Sequence, residues 1–566
     1  MTRGYFPAWP SLRLFAAAAA LTFPAGNALA DTDSGELANV ALLSTSSRLD
    51  SSGFDAPGLK DATIGEIRIV SGNIFDLNIP EENHRLHRWV NSLHIKTRPE
   101  VIRTQLLFAP GEHFNAQLVE ESARLLRSNR YLQDAEIIPA AYKDGVVDLE
   151  VRTNDVWTLS PSISFSRGGG KNSGGFGIKE YNLLGSGSSV GLGYKSDIDR
   201  NKTTLRYLNR NLLRSRYQLL ADYSAATDGF TQNFKLEQPF FALDTRRSRG
   251  FSFSNTRQTE ALYDRGNIIS RFEHEFRQGA MFLGWSKGLQ GNWTRRYTAG
   301  LAYESHRYHA VPNASYPTPE LQADRQLAFP FVGAEILQNE FATTRNFDQM
   351  NRKEDRHLGK QLVFRLGYAN SGLGSSDNAW LFTGHYSDSL LRREDRTLLF
   401  SADLNGRLVN GASENIKTTL GVRYDHRQSV KRLFHASASA SIGHNLDIDN
   451  PVYIGGDNGL RGYPLRYQGG DKSFMLTLEQ RYFTDWYPFR MFNVGGAVFF
   501  DAGRTWGSDP ANSENLGWLR DVGLGLRIGN TRSGIGRIIH IDLAYPLDGE
   551  SGISNLQLLV EAKRSF

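Results

Sequence analysis

Arg461 is the residue whose setting most invites a chemical role. It lies between Leu460 and Gly462 in "YIGGDNGLRGYPLRYQGGD", Tyr453 to Asp471, a connector with six glycines and two arginines. A guanidinium cannot lose its proton in a protein, and its planar fork can hold two carboxylates at once. Flanking glycines let the backbone turn sharply and lie close to a surface. Such a segment is suited to carrying a charge to a fixed acidic site, although composition alone favours a solvated surface arginine. Two other patterns suggest catalysis and fail on context. Gly187-Ser188-Ser189-Val190-Gly191 fits the Gly-x-Ser-x-Gly pattern of hydrolases, which needs a strand, a sharp turn and a helix to present the serine. Here Ser189 opens an alternating strand with no helix after it. His84, His87 and His94 in "NHRLHRWVNSLH" have no converging carboxylate or further ligand, so they read as exposed helix polarity and not as a metal site. The sequence therefore implies no enzyme, no cofactor and no metal.

The chain of 566 residues has no cysteine, which excludes disulfides and thiol chemistry. Arg3 and Arg13, the apolar "LFAAAAALTF" and Ala28-Leu29-Ala30 form a secretory signal peptide over residues 1–30. Its removal takes two arginines and no acid, so the net charge of +5 becomes +3, too mild for a nucleic-acid partner. Residues 31–60, rich in Ser, Asp, Gly and Ala without periodicity, read as a flexible leader. No later apolar run is long enough for a helical membrane span, and the mean hydropathy is −0.42. Yet 55 glycines, with 33 Phe, 22 Tyr and 9 Trp, accompany many alternating runs of about ten residues. A transmembrane β-barrel hides its apolar face at every second residue, so averaged hydropathy misses it.

The elements fall into two groups. Over residues 63–155 the order is strand, helix, helix, strand, strand. "IGEIRIV" alternates through Ile67 and Ile69, and "NAQLVEESARLLRSNRYL" starts at an Asn115 cap. That helix aligns Leu118, Ser122, Leu125 and Asn129, with Val119 and Leu126 widening the apolar face. Asp144-Gly145 marks a hairpin before Val147, Leu149 and Val151. This predicts a small α+β domain. Residues 158–566 predict strand after strand, with short connectors such as "LLGSG" and "NTRSG" at one end and long polar ones at the other. Val522, Leu524, Leu526 and Ile528 share one face, as do Ile539, Ile541, Leu543 and Tyr545, with His540 and Asp542 opposite. Tyr482, Phe483, Trp486, Tyr487 and Phe489 cluster at one short turn like an interfacial girdle. A soluble sandwich or propeller is the alternative, but no repeat of propeller length occurs.

At "GGFGIKEYNLLGSGSSV" and "GGDNGLRGYPLRYQGGDKSFMLTLEQRYF" the sequence resembles the Omp85 superfamily of outer-membrane barrel-assembly and polypeptide-secretion proteins, the BamA/TamA-like or surface-antigen D15 type. Leu460-Arg461-Gly462-Tyr463 matches the loop-six signature. Asn182, Gly185 and Gly187 match an Asn-Leu-x-Gly-x-Gly turn, and Asp501-Ala502-Gly503 an Asp-x-Gly strand end. The α+β domain, with its "GEHF" lead, looks like one POTRA domain, where members often carry several. Phe566 would close a C-terminal β-signal, departing from the usual pattern at Arg564.

The resemblance implies an antiparallel barrel of sixteen strands in the bacterial outer membrane, with the POTRA domain in the periplasm. The alternation gives up to about twenty strands, five of them after the arginine loop. The resemblance also implies that the loop folds back inside the barrel. Strand phases independently send Glu479 and Asp501 inward, opposite Phe474, Leu476 and Leu478 and opposite Val494, Val498 and Phe500. Implied partners are the outer-membrane bilayer, unfolded outer-membrane or secreted polypeptides, and accessory periplasmic or lipoprotein factors. Client strands would be templated at a weak seam between first and last strands, which Pro161 and the glycines after Arg167 would keep poorly paired. The alternative function is a passive channel or structural surface barrel.

Overall fold

A computed structural model describes residues 61–563, apart from 313–314, 346–352, 394, 489–491, 510, 531–537 and 551. The expected signal peptide, the leader, Phe489, Arg564 and the Phe566 β-signal lie outside the described residues.

The N-terminal module contains β1 (Thr63–Gly72), α1 (Arg85–Leu93), α2 (Pro99–Arg103), α3 (Ala116–Arg127), β2 (Leu132–Lys143) and β3 (Val146–Asp155). Its sheet runs β1-β3-β2, with β1 parallel and β2 antiparallel to β3. Three α-helices occur where two were expected, because the five-residue α2 starts at a proline and is too short to show a period. A register shift between Ile64 and Ile67 lets both side chains bury despite their odd spacing. The Asn115 side chain caps α3, accepting from the backbone N–H of Gln117 and Leu118. The buried face of α3 runs through Val119, Ser122, Ala123 and Leu126, leaving Leu118 and Leu125 only half-buried. The helix is thus rotated by about one residue from the expected edge. Asp144 and Gly145 both take positive φ, the geometry of a tight hairpin. Beyond it Val147, Leu149 and Val151 are fully buried.

The remainder is a barrel of 20 antiparallel strands, each paired with its neighbours in sequence, from Leu159–Gly168 to Gln557–Lys563. The alternation count therefore holds, and the sixteen strands implied by resemblance are corrected. Five strands follow the arginine loop, as expected. Leu192, Leu205, Leu524, Leu526 and Leu543 point outward and are exposed, whereas Asp501, Arg527 and Asp542 are buried on the inner side. That is the two-faced pattern of a wall between lipid and a polar lumen. Among the described residues no helix is long and apolar enough to cross a membrane. Three consecutive strands, Arg247–Asp264, Asn267–Gln290 and Trp293–Ala310, are longer than a bilayer requires.

The expected division into short and long connectors is only partly kept. The end away from the module carries long connectors at 445–471 and 311–324, but also two-residue hairpins at 169–170 and 265–266. The module end includes a long excursion whose hairpin, Phe341–Arg345 with Lys353–His357, reaches the module. Val494, expected to face lipid, is instead covered by its own turn, its N–H bonding Trp486 O.

Among the described residues the closing seam is the sparsest interface of the barrel. Leu159–Gly168 makes ten pairs with the second strand, and Gln557–Lys563 makes seven with the nineteenth. Between the first and last strands one pair is found among the described residues, Val560 with Arg167.

Candidate functional site: the in-folded loop and its wall

The connector 445–471 leaves the wall and folds into the lumen. It is braced by its own two short strands, Val452–Ile454 and Gln468–Gly470. Leu460 and Tyr463 are fully buried. The Arg461 guanidinium donates through Nε and Nη2 to the two oxygens of Asp501, at 2.7 and 3.0 Å. Its Nη1 donates to Glu479 Oε2 at 2.8 Å and reaches Asp542 Oδ2 at 3.5 Å. The guanidinium carbon also lies 3.4 Å from the centroid of the Phe499 ring. This is a fork on one carboxylate with a second arm on another, stacked on an aromatic face.

The wall supplies a charge network around this contact. Arg481 Nε donates to Glu479 Oε1 at 2.8 Å, and Arg527 Nη2 approaches Glu479 Oε2 at 3.4 Å. Arg527 Nη1 donates to Asp542. A Cβ on Gly525 would come within 2.1 Å of Asp542 Oδ1 and 2.4 Å of Arg527 Nη1, so glycine there makes room for that pair. The Gly462 N–H donates to Asp521 Oδ2 at 3.0 Å, and Asp521 lies directly across the ladder from Asp501. Tyr463 donates its hydroxyl to Arg520 O at 2.9 Å and accepts from the backbone N–H of Asp548.

A second arginine of the loop grips the opposite side of the seam. Arg466 donates to both oxygens of Asp199, at 2.8 and 2.7 Å, and stacks on Tyr263. Asp199 lies in the connector after the third barrel strand. The loop also touches the first hairpin: Gly169 has φ +53°, and a Cβ there would meet Leu465 N at 2.2 Å. One loop is therefore bonded to the sixteenth to nineteenth strands through Arg461 and Gly462, and near the third strand through Arg466.

The turn residues form a different contact. Asn182 Oδ1 accepts from Gly187 N at 2.7 Å and closes the turn, with Gly185 and Gly187 at positive φ. Asn182 Nδ2 donates to Thr97 of the module at 2.8 Å, and the Arg98 N–H donates to Gly185 O at 3.1 Å. A second, divergent copy of this turn follows at "NLLRSR", from Asn211 to Arg216. Leu184 and Leu213 share the same positive φ of 52°. This copy also meets the module: Arg216 donates to Leu106 O at 2.7 Å, and Arg214 pairs with Glu100. Further contacts extend the dock. Leu243 N donates to Glu121 at 2.7 Å, and Arg127 forks onto Asp355 at 2.6 and 2.8 Å.

The two patterns set aside in the sequence have structural placements. Ser189 lies within the strand Ser188–Ser196, without the turn and helix a nucleophile needs. Of the three histidines His84 is exposed as expected, whereas His87 and His94 are not. His87 is buried and stacked on Phe75 at 3.9 Å, and His94 bonds Asp155 at 2.8 Å.

The Omp85 superfamily domain matches residues 182–558, more than half of the chain and both motif-bearing regions. The chain belongs to the Omp85 superfamily. Omp85 proteins are transporters or insertases that work within outer membranes on polypeptides, so this barrel is an outer-membrane one. A curated relative, "Outer envelope protein 80, chloroplastic" of Oryza sativa subsp. japonica, is 23% identical over 470 residues, covering 78% of this chain and 57% of that protein. The chain thus spans a little over half of that relative's length. Among solved structures, BamA from Haemophilus ducreyi lacking POTRA domains 1-3 is 14% identical with a TM-score of 0.38, covering 89% of this chain and 84% of that one. CdiB from Escherichia coli is 13% identical with a TM-score of 0.47, covering 89% and 76%.

Sequence reasoning named Arg461, Glu479 and Asp501 but not Asp542, Asp521, Arg527, Arg481, Phe499 or the Arg466–Asp199 pair. For this Omp85 chain the missing signal was partly available. Asp542 sits in an inward phase beside His540, and Arg527 and Asp521 occupy the phase opposite Val522 and Leu526.

Proposed function

We propose that this Omp85 protein inserts or translocates polypeptides at the outer membrane, through the seam between its first and last strands. The observation that carries the reading is the seam itself. Among the described residues one pair stands where the adjoining interfaces make ten and seven, so the seam-facing edge of Leu159–Gly168 is sparsely paired there. An unpaired edge accepts an incoming strand by main-chain hydrogen bonding. Energy would come from the client folding into the bilayer, with no nucleotide. Arg461, Glu479 and Asp501, with Leu460, Gly462 and Tyr463, hold the in-folded loop and thereby keep the wall rigid next to an edge that must stay open. The α+β module is taken as one POTRA domain on the periplasmic side, presenting clients to the seam; Asn182, Gly185 and Gly187 form its seat on the barrel.

Depletion of the protein, followed by complementation with full-length chain or with residues 63–155 deleted, tests this. Loss of particular outer-membrane or secreted proteins, rescued by the full chain alone, is the expected result. The deleted chain should still form a barrel, because its strands pair with one another and not with the module. An unchanged outer-membrane and secreted proteome on depletion would return the passive-channel reading.

A further inference from the structure

The described side chains of α1 stand apart from the core of the module it is attached to. The core is built from β1, β2, β3, α2, α3 and the segments beside them, and none of the described side chains of Arg85–Leu93 is in it. α1 is instead pinned from beneath. His87 stacks on Phe75 with the rings 8° from parallel, Asn91 Nδ2 donates to Phe75 O at 2.8 Å, and Phe75 N donates to Asn91 Oδ1 at 3.1 Å. These contacts fix which side of α1 is turned away. On that side Trp89 is 60% exposed and Leu93, one turn on, 52%, followed by Ile95 at 53%. Arg85, Arg88 and Lys96 flank them and are exposed too. An outward Trp, Leu and Ile bordered by cations are an unfavourable group to leave in water.

The place of this surface in the fold says what covers it. Lys96 O would lie 2.4 Å from a Cβ on Gly185, and Arg98 bonds both Gly185 O and Leu184 O. Ile95 is therefore one residue from the first barrel turn on the module side. That turn exposes Leu183 and Leu184, and the strands rising from it expose Phe176, Ile178 and Leu192 to lipid. Ile95, Leu93 and Trp89 are thus exposed next to a turn whose leucines are exposed and from which lipid-facing strands rise. Tryptophan is favoured at membrane interfaces, and arginines and lysines there meet lipid phosphates.

We propose that α1 is an interfacial anchor, lying in the module-side leaflet of the outer membrane. Trp89, Leu93 and Ile95 enter the boundary between headgroups and acyl chains, and Arg85, Arg88 and Lys96 rest against anionic phosphates. The anchor extends the barrel's lipid contact and holds the module beside the second and third strands, next to the first strand and its sparsely paired edge. It depends on the membrane location of the barrel and not on client handling.

The chain has no cysteine, so single sites can be labelled in the full-length protein. Nitroxide labels at Trp89→Cys and Leu93→Cys are compared with Lys143→Cys, at the exposed far hairpin. That hairpin stands the length of β3 from the barrel junction, about 30 Å. In nanodiscs of phosphatidylethanolamine and phosphatidylglycerol, labels at 89 and 93 should be reached by oxygen and shielded from a soluble nickel chelate, and the label at 143 the reverse. Arg85→Gln with Arg88→Gln, or phosphatidylcholine in place of phosphatidylglycerol, should reduce the shielding. Because a label at 89 replaces the tryptophan itself, brominated lipid gives an independent measure: it should quench part of the wild-type tryptophan emission that Trp89→Phe lacks. Nickel access at 89 and 93 equal to that at 143, with identical quenching in Trp89→Phe, would overturn the proposal. Shielding seen only in native envelopes and not in protein-free lipid would overturn it in favour of a protein partner.

Discussion

Replacing Arg461 with alanine removes the one cation that reaches Asp501 among the contacts described for the loop and its wall. The other carboxylates keep partners: Glu479 retains Arg481 and Arg527, and Asp542 retains Arg527. Asp501, fully buried, loses both of its fork bonds and is left opposite buried Asp521 in the ladder. Breaking a buried ion pair by deleting one partner costs about 3–5 kcal/mol, because the remaining charge stays desolvated. Loop detachment would lower that penalty by admitting water, at the expense of the Tyr463 and Arg466 contacts. Two readouts therefore cover both outcomes: the temperature at which the barrel loses its fast migration in unboiled detergent gels, and protease cleavage within 445–471. Arg461→Ala should lower the first or raise the second. Arg461→Lys should fall between, since an ammonium lacks the fork that spans Asp501 and Glu479. Adding Asp501→Asn to the alanine variant should recover part of the loss by removing the stranded charge. Wild-type migration and an uncut loop in Arg461→Ala would refute the reasoning.

Other predictions follow from the loop's second grip and from the module's seat. Burial opposes ionisation of Asp199, but the Arg466 fork and the Tyr263 hydroxyl outweigh it and hold its pKa at about 2. A depressed carboxylate contributes stability above its ordinary value of about 3.9 and loses it as pH falls toward the depressed one. Loop protection from an acid-tolerant protease should accordingly drop between about pH 4 and pH 2, and Arg466→Ala should abolish that step by removing this grip at all pH values while the Arg461 contacts remain. Burial also raises the Glu121 pKa, against the Leu243 N–H bond. A raised carboxyl favours the docked state at low pH, and that gain is lost as pH climbs through the raised value. Hydrogen exchange at the Leu243 amide should quicken with pH beyond its intrinsic rate in the wild type, and Glu121→Gln should remove that excess.

What the sequence disclosed, and what it hid, divides along local and non-local lines. Strand alternation is a property of neighbours, so twenty strands and the inward phase of Glu479 and Asp501 could be read from single segments. Which inward residues meet at one depth depends on the stagger of the whole wall. That is why Asp542 and Arg527, each in a visible inward phase, could not be joined to Arg461. The Arg466–Asp199 pair spans 267 residues across the lumen, and no local pattern announces it. The second docking turn escaped because arginines replace both glycines of the first, although the backbone keeps the same left-handed leucine. The α3 face was displaced by a residue because its buried side is set by the sheet it packs on. His87 and His94 looked like helix polarity because their partners, Phe75 and Asp155, lie in separate elements.

The most direct test of the account locks the seam. Cysteines at Arg167 and Val560, the one cross-seam pair among the described residues, enter a chain that has no other cysteine. Oxidised in cells depleted of the wild-type protein, this variant should crosslink, remain a folded barrel, and fail to restore the missing outer-membrane or secreted proteins until reductant is added. A fully crosslinked barrel that restores them as well as the reduced form would contradict the account, because clients could not then be using the seam.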